Sequence, residues 1–384
     1  MEADVRAGHE AIRSPRIDRI AGSDERLLAL IQQLVAVSRD GLPRMYRRDE
    51  RTFAHSLRLR DAGRLEPVGT SLRYGAMVLL GARWLDEDSQ RRVLGGESAA
   101  EFCDRLVGTL SDSTNLGDYA LVAWNAANSG HPETQRLLDS AGERAAKQPG
   151  VPTMEVAWAL SALSAARELA PDAARRVCSR LLEALPGSLG VFPHHIDGKS
   201  GPFRSHVASF ADQVYPIQAL SRFHRAWGDD RALAAANQCA EMICRLQGPQ
   251  GEWWWHYDVR TGGVVEGHPV YSVHQDSMAP MVLLDLAEAG GFDHAEEIRR
   301  GLLWFEQTRP AERPLIDEAN LVIWRKLGRR EPGKLVRQLR AVTTSLAPDF
   351  RLGVLDALFP PGKVDWESRP YHLGWVLDSW LGHL

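Results

Sequence analysis

Two kinds of helical segment alternate along this chain, and their alternation limits the folds open to it more than any other feature does. Segments of the first kind start with polar or acidic residues and then become apolar on nearly every face. They begin at Thr70, Leu116, Pro152, Ser209, Ser272, Leu315 and Ser368. Segments of the second kind are amphipathic, and examples begin at Asp24, Ser98, Arg231 and His294. A helix that is apolar on most faces has to be buried, and an amphipathic helix can cover it with one face.

The repeat of the two kinds, at very roughly 50 residues, predicts an all-α protein of six or seven helical hairpins. Such hairpins form either an open solenoid or a closed ring. Closure is favoured because the last apolar helix, Tyr371–Leu384, lacks the polar face with which a solenoid ends. No Pro/Gly/Ser-rich linker divides the chain. We therefore predict one closed (α/α)6–7 toroid over residues 24–384, after a polar extension over residues 1–23.

Charge and composition exclude several classes of partner. The chain has 46 basic and 50 acidic residues, a net charge of −4, which argues against nucleic-acid binding. No apolar run approaches the ~18 residues that a membrane span needs, so we expect no integral membrane association. The charged N-terminus has no apolar core of a signal peptide, and this indicates a cytoplasmic protein. The cysteines Cys103, Cys178, Cys239 and Cys244 form no Cys-x-x-Cys pair and are expected to be buried, reduced thiols.

Three long loops concentrate aromatic and ionisable residues: Gly187–Ser205, Gly248–Tyr271 and Pro360–Ser368. Each precedes an apolar helix, so closure of the ring would bring the loops together at one end, as a binding site requires. We predict that the residues with acid, base and proton-relay roles are His256, Asp258, Tyr271, His274 and Asp276. The predicted substrate-binding residues are Trp253, Trp254, Trp255, His194, His195, Arg204, His206, Asp212, Arg369 and His372.

The same loops permit a metal site, although hydrogen-bonded histidine is the simpler interpretation. Glu266, His268 and His372 are residue types that bind zinc in open catalytic triads. No compact metal signature such as HExxH occurs, and there is no phosphate loop or dinucleotide fingerprint. We therefore expect no cofactor, with zinc as the alternative.

Several motifs resemble those of known α/α toroids. The stretch LQGPQGEW, from Leu246 to Trp253, resembles the Gln/Trp repeat of terpenoid cyclases. Glu266-Gly267-His268 and Tyr371-His372 are similar to the zinc-binding elements of protein prenyltransferase β-subunits, but the cysteine of those elements is missing. The Asp-rich motifs of the cyclases are also absent. The stretch YSVHQDSMAPMVLLDLAEA, from Tyr271, resembles the active-site region of uronate C5-epimerases, and six-hairpin glycosidases likewise carry His, Tyr, Arg and carboxylates at the toroid mouth.

The leading functional hypothesis is a carbohydrate-active enzyme, a hydrolase, lyase or epimerase acting on a saccharide or uronate. Carboxylate pairs serve glycoside hydrolysis, His and Tyr near Arg serve proton abstraction, and Trp and Tyr faces stack on sugars. An isoprenoid cyclase or prenyltransferase is the second hypothesis, and it requires a mainly apolar chamber. A toroid that binds a ligand or partner without catalysis is the third.

Overall fold

The computed structural model describes residues 12–60, 63–111, 114–185, 187–198, 204–307, 314–348, 350 and 352–384. Helices dominate this part of the chain. They are α1 (Pro15–Ala21), α2 (Glu25–Gly41), α3 (Leu72–Ala82), α4 (Glu87–Val93), α5 (Ala99–Gly108), α6 (Leu116–Ser129), α7 (Thr134–Lys147), α8 (Thr153–Ala165), α9 (Pro171–Ala184), α10 (Ala211–Trp227), α11 (Asp230–Arg245), α12 (Ala279–Glu288), α13 (Ala295–Gln307), α14 (Leu335–Leu346), α15 (Val354–Leu358) and α16 (Pro370–Leu381). No helix in these residues is both long and apolar enough to cross a bilayer.

An inner ring of six helices, α3, α6, α8, α10, α12 and α16, forms the core, and each packs against the next. Their residues are buried on nearly every face, as their composition predicts. The amphipathic helices α2, α5, α7, α9, α11 and α13 precede them in the chain and form the outer layer. The ring closes where α16 packs on α3, so the predicted toroid is confirmed.

The closure depends on two glycines at the contact between α3 and α16. A Cβ added to Gly81 would overlap the carbonyl oxygen of Gly374 and lie 2.9 Å from its carbonyl carbon. A Cβ added to Gly374 would lie 2.8 Å from the carbonyl oxygen of Met77. The two helix backbones therefore touch directly, and no side chain fits between them.

The segment from Leu315 was predicted to be a seventh inner helix, and this prediction is wrong. It forms the short strands β9 (Ile316–Asp317), β10 (Val322–Ile323) and β11 (Lys326–Arg329). β9 and β10 form a hairpin, in which Leu321 has a positive φ of 54° and Asp317 accepts hydrogen bonds from the Asn320 backbone and side chain. Buried apolar residues in a short run do not by themselves distinguish a strand from a helix.

The predicted boundary at residue 24 also differs from the structure. Within the polar extension, Pro15–Ala21 forms α1, and Ile17 and Ile20 are fully buried. Arg16 is also buried and donates to Asp285 and Glu288 of α12 at 2.5 and 2.6 Å. Residues 1–11 of the extension lie outside the described part. Sequence composition missed α1 because one of its charged residues, Arg16, is paired inside the toroid, although Asp18 and Arg19 are exposed as the composition suggests.

Small antiparallel sheets join the loops that enter the inner helices. The remaining strands are β1 (Tyr46–Arg47), β2 (Thr52–Phe53), β3 (Ser56–Leu59), β4 (Leu65–Val68), β5 (Val207–Ser209), β6 (His256–Asp258), β7 (Val264–Glu266), β8 (Val270–Tyr271), β12 (Pro361–Asp365) and β13 (Glu367–Ser368). The sheet β5–β6–β7 ties the loop before α10 to the loop before α12, and β8–β11–β12 ties the latter loop to the segment before α16. The sheet β13–β3–β4 completes the connection to α3. Neighbouring loops are thus fixed to one another at one end of the toroid, which we call the mouth.

Candidate active site

A cavity of about 230 Å³ opens at the mouth, beside the first turns of the inner helices. Its lining is largely aromatic, with two arginines and one histidine. The lining residues are Arg73, Tyr74, Met77, Met154, Trp158, Ala211, Tyr215, Trp255, Tyr271, His274, Met278, Arg325 and Tyr371. Helix N-termini carry a partial positive charge, so their convergence here favours an anionic ligand.

Arg73 holds two carboxylates on one side of the mouth. Its guanidinium donates to Asp118 at 2.5 Å and to Glu155 at 2.8 Å. Glu155 also accepts from the backbone N–H of Gly117 at 3.0 Å. Asp118 and Glu155 lie in the first turns of α6 and α8, where the helix dipole stabilises a negative charge. Two carboxylates from neighbouring inner helices are therefore held close to the cavity by one cation.

A row of aromatic rings forms the opposite rim. His55 stacks on Tyr74, and Tyr74 packs against Tyr371 with centroids 4.7 Å apart. Arg369 donates to the Tyr74 hydroxyl at 2.8 Å and to Glu367 at 2.5 Å. Arg369 was predicted to bind substrate, and the structure places it behind Tyr74, where it orients the phenol.

Tyr271, His274 and Arg325 meet at the third side of the cavity. The guanidinium of Arg325 lies 5.3 Å from the Tyr271 ring centroid, and its Nε is buried without a hydrogen-bond partner among the described residues. Its contacts to Asp365 and Glu367 are long, at 3.7 and 3.4 Å. A guanidinium with spare donors at a cavity wall suits a carboxylate ligand.

His274 begins a π-helical turn, His274–Met278, that precedes α12. Such turns are common at functional sites, and both end residues of this one line the cavity. The imidazole packs between Phe210 and Tyr271, at centroid distances of 4.4 and 5.1 Å. Burial lowers the pKa of His274 to about 3, and its Nδ1 has no partner in the described structure. His274 is therefore a neutral imidazole near pH 7 that lines the cavity.

A histidine–carboxylate pair stands at the edge of the mouth. His194 Nδ1 lies 2.9 Å from Asp212 Oδ2, and the same oxygen accepts from the Ser209 N–H and hydroxyl, each at 2.7 Å. Asp212 is fully buried, whereas 42% of the His194 side chain is exposed. The hydrogen bond to Asp212 raises the pKa of His194. An exposed imidazole oriented by a buried carboxylate is the arrangement of a general acid or base. His195 packs edge-on against His194, at 4.6 Å between ring centroids.

The three consecutive tryptophans have different environments. Trp255 lines the cavity and carries Arg337 over its ring at 4.7 Å. Trp253 is fully buried against Phe210, and Trp254 donates its indole N–H to the carbonyl of Leu246 at 2.8 Å. Of the three, only Trp255 reaches the cavity.

Other predicted site residues are paired away from the cavity lining. Asp276 and His372 form a buried pair at 2.8 Å, and Asp258 is held by Arg260 at 2.7 Å. His206 Nε2 lies 2.9 Å from the hydroxyl of Thr344 on α14. His256 is buried beneath Trp255, with stacked rings 4.0 Å apart, and burial holds its pKa well below the usual value. Arg204 is exposed and lies near enough to His256 for its charge to lower that pKa further.

The three residues of the alternative zinc site, Glu266, His268 and His372, do not come together in the described structure. Glu266 Oε1 accepts from Arg329 at 3.0 Å, and Glu266 Oε2 forms an ion pair with Arg340 at 2.8 Å; both arginines are almost fully buried. His372 binds Asp276 instead. Burial lowers the pKa of His268 to about 4, and its Nδ1 has no partner in the described residues. The buried arginines compete with any cation for Glu266, so the resemblance to the prenyltransferase zinc elements does not extend to their geometry.

Sequence reasoning missed several residues in or beside the cavity. Those that line it are Arg73, Tyr74, Trp158, Tyr215, Arg325 and Tyr371, and Asp118 and Glu155 contact Arg73 beside it. Most of them lie in the first turns of inner helices, where a buried aromatic residue looks like core. Their position in the sequence could have identified some of them. Arg73, Asp118 and Glu155 are each an ionisable residue in the first turn of an otherwise apolar helix.

The buried histidines should make the protein labile to acid. His268 and His274 stay neutral in the folded state down to about pH 4 and pH 3, whereas unfolded histidine takes up a proton near pH 6.5. The unfolded state therefore binds more protons as the pH falls from about 6.5 to 4, and each histidine should remove up to about 1.4 kcal/mol per pH unit. Denaturant titrations at several pH values give the free energy of unfolding as a function of pH. Between about pH 6.5 and 4 this free energy should fall less steeply for His274→Gln than for the wild type. His383 is exposed, and His383→Gln should keep the wild-type pH dependence of the free energy of unfolding. The same pH dependence in all three proteins would contradict the destabilising role given to His274.

No family model and no curated protein matches this chain. Solved structures do. An unsaturated glucuronyl hydrolase specific for heparin superposes with a TM-score of 0.56 and 13% identity over 90% of this chain and 95% of its own. The unsaturated glucuronyl hydrolase of Bacillus sp. GL1, responsible for glycosaminoglycan degradation, gives a TM-score of 0.55 and 15% identity over 91% and 96%. A D-mannose isomerase gives a TM-score of 0.58 and 10% identity over 92% and 97%. The described chain has the six-hairpin, glycosidase-like α/α-toroid fold that these structures share.

Proposed function

We propose that this protein is a carbohydrate-active enzyme that binds a saccharide carrying a carboxylate, such as a uronate, and acts on it by acid–base chemistry. The observation that carries the proposal is the mouth cavity, in which aromatic rings surround Arg73, Arg325 and a neutral His274. Aromatic faces suit the C–H surfaces of sugars, and Arg325 has donors for a carboxylate.

A basic groove supports an anionic and extended substrate. This groove, of about 510 Å³, is lined by seven basic and three acidic side chains, among them Lys326, Lys334 and Arg337. Arg337 also covers Trp255, and Lys326 lies 5.6 Å from the Tyr271 ring centroid, so the groove adjoins the cavity. A chain of acidic sugars could continue from the cavity into this groove.

Proton transfer is assigned to groups that reach the mouth. In this proposal His194, oriented by Asp212, is the acid or base, and Tyr271 and His274 contact the reacting sugar. Asp118 and Glu155 are the carboxylates beside the cavity, but Arg73 holds both on one side of it, whereas glycoside hydrolysis by two carboxylates needs one on each side of the scissile bond. Glucuronyl hydrolases and a mannose isomerase with this fold act on saccharides, which agrees with the proposal.

The alternatives predict different cavities. An isoprenoid cyclase would need a mainly apolar chamber. The lining of this cavity is largely aromatic, and its two arginines, Arg73 and Arg325, are the groups that favour an anionic ligand. A toroid without catalysis would leave its mouth residues paired among themselves, and the unpartnered Nδ1 of His274 argues against this among the described residues.

One experiment separates the reaction classes. The full chain is incubated in D2O with uronate-containing oligosaccharides, neutral oligosaccharides and, separately, prenyl diphosphates, and the products are analysed by mass spectrometry. Hydrolysis adds water and shortens the chain, elimination gives an unsaturated fragment, and epimerisation or isomerisation incorporates deuterium without cleavage. We expect turnover of uronate-containing substrates only. Turnover of prenyl diphosphates, with every saccharide unchanged, would refute the proposal.

Replacement of the mouth histidine should test its role. We expect His194→Gln to lower kcat about 100-fold, because general acid–base catalysis contributes at least that much. Asp212→Asn removes the charge that stabilises the imidazolium and should lower the pKa of His194. The acidic limb of the pH–rate profile then moves to lower pH if His194 is the base, and the alkaline limb does so if it is the acid. His131→Gln, which removes a histidine paired with Asp104 outside the mouth, should leave kcat and the profile unchanged. Wild-type kcat in His194→Gln would exclude His194 from catalysis.

A further inference from the structure

We propose that Cys244, His294 and Glu297 form a binding site for a Zn²⁺-type cation, outside the mouth. Cys244 lies at the end of α11, and His294 and Glu297 lie at the start of α13. One ligand atom from each residue lies within 4.8 Å of the other two, and His294 Nδ1 is 3.8 Å from Glu297 Oε2. No other set of three His, Cys, Asp or Glu side chains meets this geometry in the part of the chain that the structure describes.

The chemistry of the three groups selects the cation. Zinc binds thiolate sulfur at about 2.3 Å and imidazole nitrogen or carboxylate oxygen at about 2.0–2.2 Å. Donor atoms around a tetrahedral ion are consequently about 3–4 Å apart, so small side-chain rotations would bring these three groups into range. A set with one soft sulfur and one imidazole disfavours Mg²⁺ and Ca²⁺, which take oxygen ligands.

Buried polar atoms at this place lack partners, which is the second reason for the proposal. His294 is only 8% exposed, and its Nε2 has no hydrogen-bond partner among the described residues. The Gln247 side-chain amide donates to the carbonyl of Glu297 at 2.9 Å, and its own Oε1 is buried and unpartnered. Such atoms destabilise a fold unless something satisfies them, and a bound cation with its ordered water would do so.

The position of the site indicates a structural role. Gln247 also donates to the carbonyl of Gly251 at 3.1 Å, which fixes the start of the loop that leads to Trp255. A cation bound by Cys244, His294 and Glu297 would join α11 to α13 at the base of this loop. The proposal therefore does not depend on what the mouth binds.

The test uses the full chain, stripped of metal by chelation and titrated with Zn²⁺ and with Co²⁺. We expect one equivalent of Zn²⁺ per chain, a rise in Tm of several degrees, and a thiolate-to-cobalt charge-transfer band with Co²⁺. Cys244→Ser should abolish the band, and His294→Gln should weaken Zn²⁺ binding at least tenfold, since even indirect disturbance of a metal site costs about that much.

Matched controls separate binding from general damage. Cys178→Ser removes another buried thiol, and Glu296→Gln removes the carboxylate next to Glu297, so both should bind as the wild type does. If Cys244→Ser does not fold, as judged by circular dichroism, His294→Gln and Glu297→Gln carry the test. Absence of stoichiometric Zn²⁺ binding by the wild type, or equal binding by His294→Gln and Glu297→Gln, would overturn the proposal.

Discussion

Replacement of Gly81 by alanine should lower the free energy of unfolding by about 3 kcal/mol, because the new methyl group has no space. Its Cβ would lie 2.9 Å from the carbonyl carbon of Gly374 and 3.1 Å from the Cβ of Leu377. The first obstacle is backbone of α16, which can move only if the helix moves. The substitution therefore opens the contact that closes the ring, and urea titration of the purified variant measures the loss.

The control for this prediction is Gly108→Ala. Gly108 also lies in a helix, at the end of α5, but nothing lies within 4 Å of the position that its Cβ would take. Alanine is a better helix former than glycine, so this variant should be as stable as the wild type or up to about 0.5 kcal/mol more stable. Equal stability of Gly81→Ala and Gly108→Ala would show that the α3–α16 contact is not tight.

The second large effect should come from Arg16→Met, which removes a buried charge from α1. We expect a loss of about 3 kcal/mol, the lower end of the range for breaking a buried ion pair. The lower end applies because Arg222 and Gln218 still contact Asp285, at 2.8 and 3.0 Å. Thermal unfolding followed by circular dichroism measures the effect.

Arg19→Met is the matched control on the same helix. Arg19 pairs with Asp293 at 3.1 Å, but 38% of its side chain and 58% of the Asp293 side chain are exposed. An exposed pair contributes less than about 1 kcal/mol, so this variant should stay close to the wild type. If Arg16→Met were equally mild, α1 would be an appendage and the toroid would be stable without it.

The two predictions bear on function, because the mouth exists only when the ring is closed. Arg73 and Tyr74 come from α3, and Tyr371 comes from α16, so the rim of the cavity spans the same two helices that Gly81 and Gly374 hold in contact. Loss of that contact should separate Tyr74 from Tyr371 before any other part of the lining changes.

The sequence by itself determined the helical hairpins and the end of the ring that carries the ionisable loops. A helix that is apolar on all faces can be buried in only a few arrangements. The spacing of apolar residues at the helical period was therefore enough to predict the hairpins. The same reasoning predicted Tyr271, His274 and Trp255 at the mouth. It failed for Leu315–Gly328, because a short apolar run fits a strand as well as a helix.

Tertiary structure alone decided which ionisable groups remain available. Asp276, Asp258 and Glu266 look alike in the sequence as carboxylates in loops. In the structure each is paired: Asp276 with His372, Asp258 with Arg260, and Glu266 with two buried arginines. Their partners come from distant parts of the chain in two of the three cases. A hydrogen-bonded pair across 96 residues, as between Asp276 and His372, leaves no local pattern, and only the packing of α16 beside the π-helical turn before α12 reveals it. For that reason the sequence located the mouth, whereas the closed ring determined which of its side chains line the cavity.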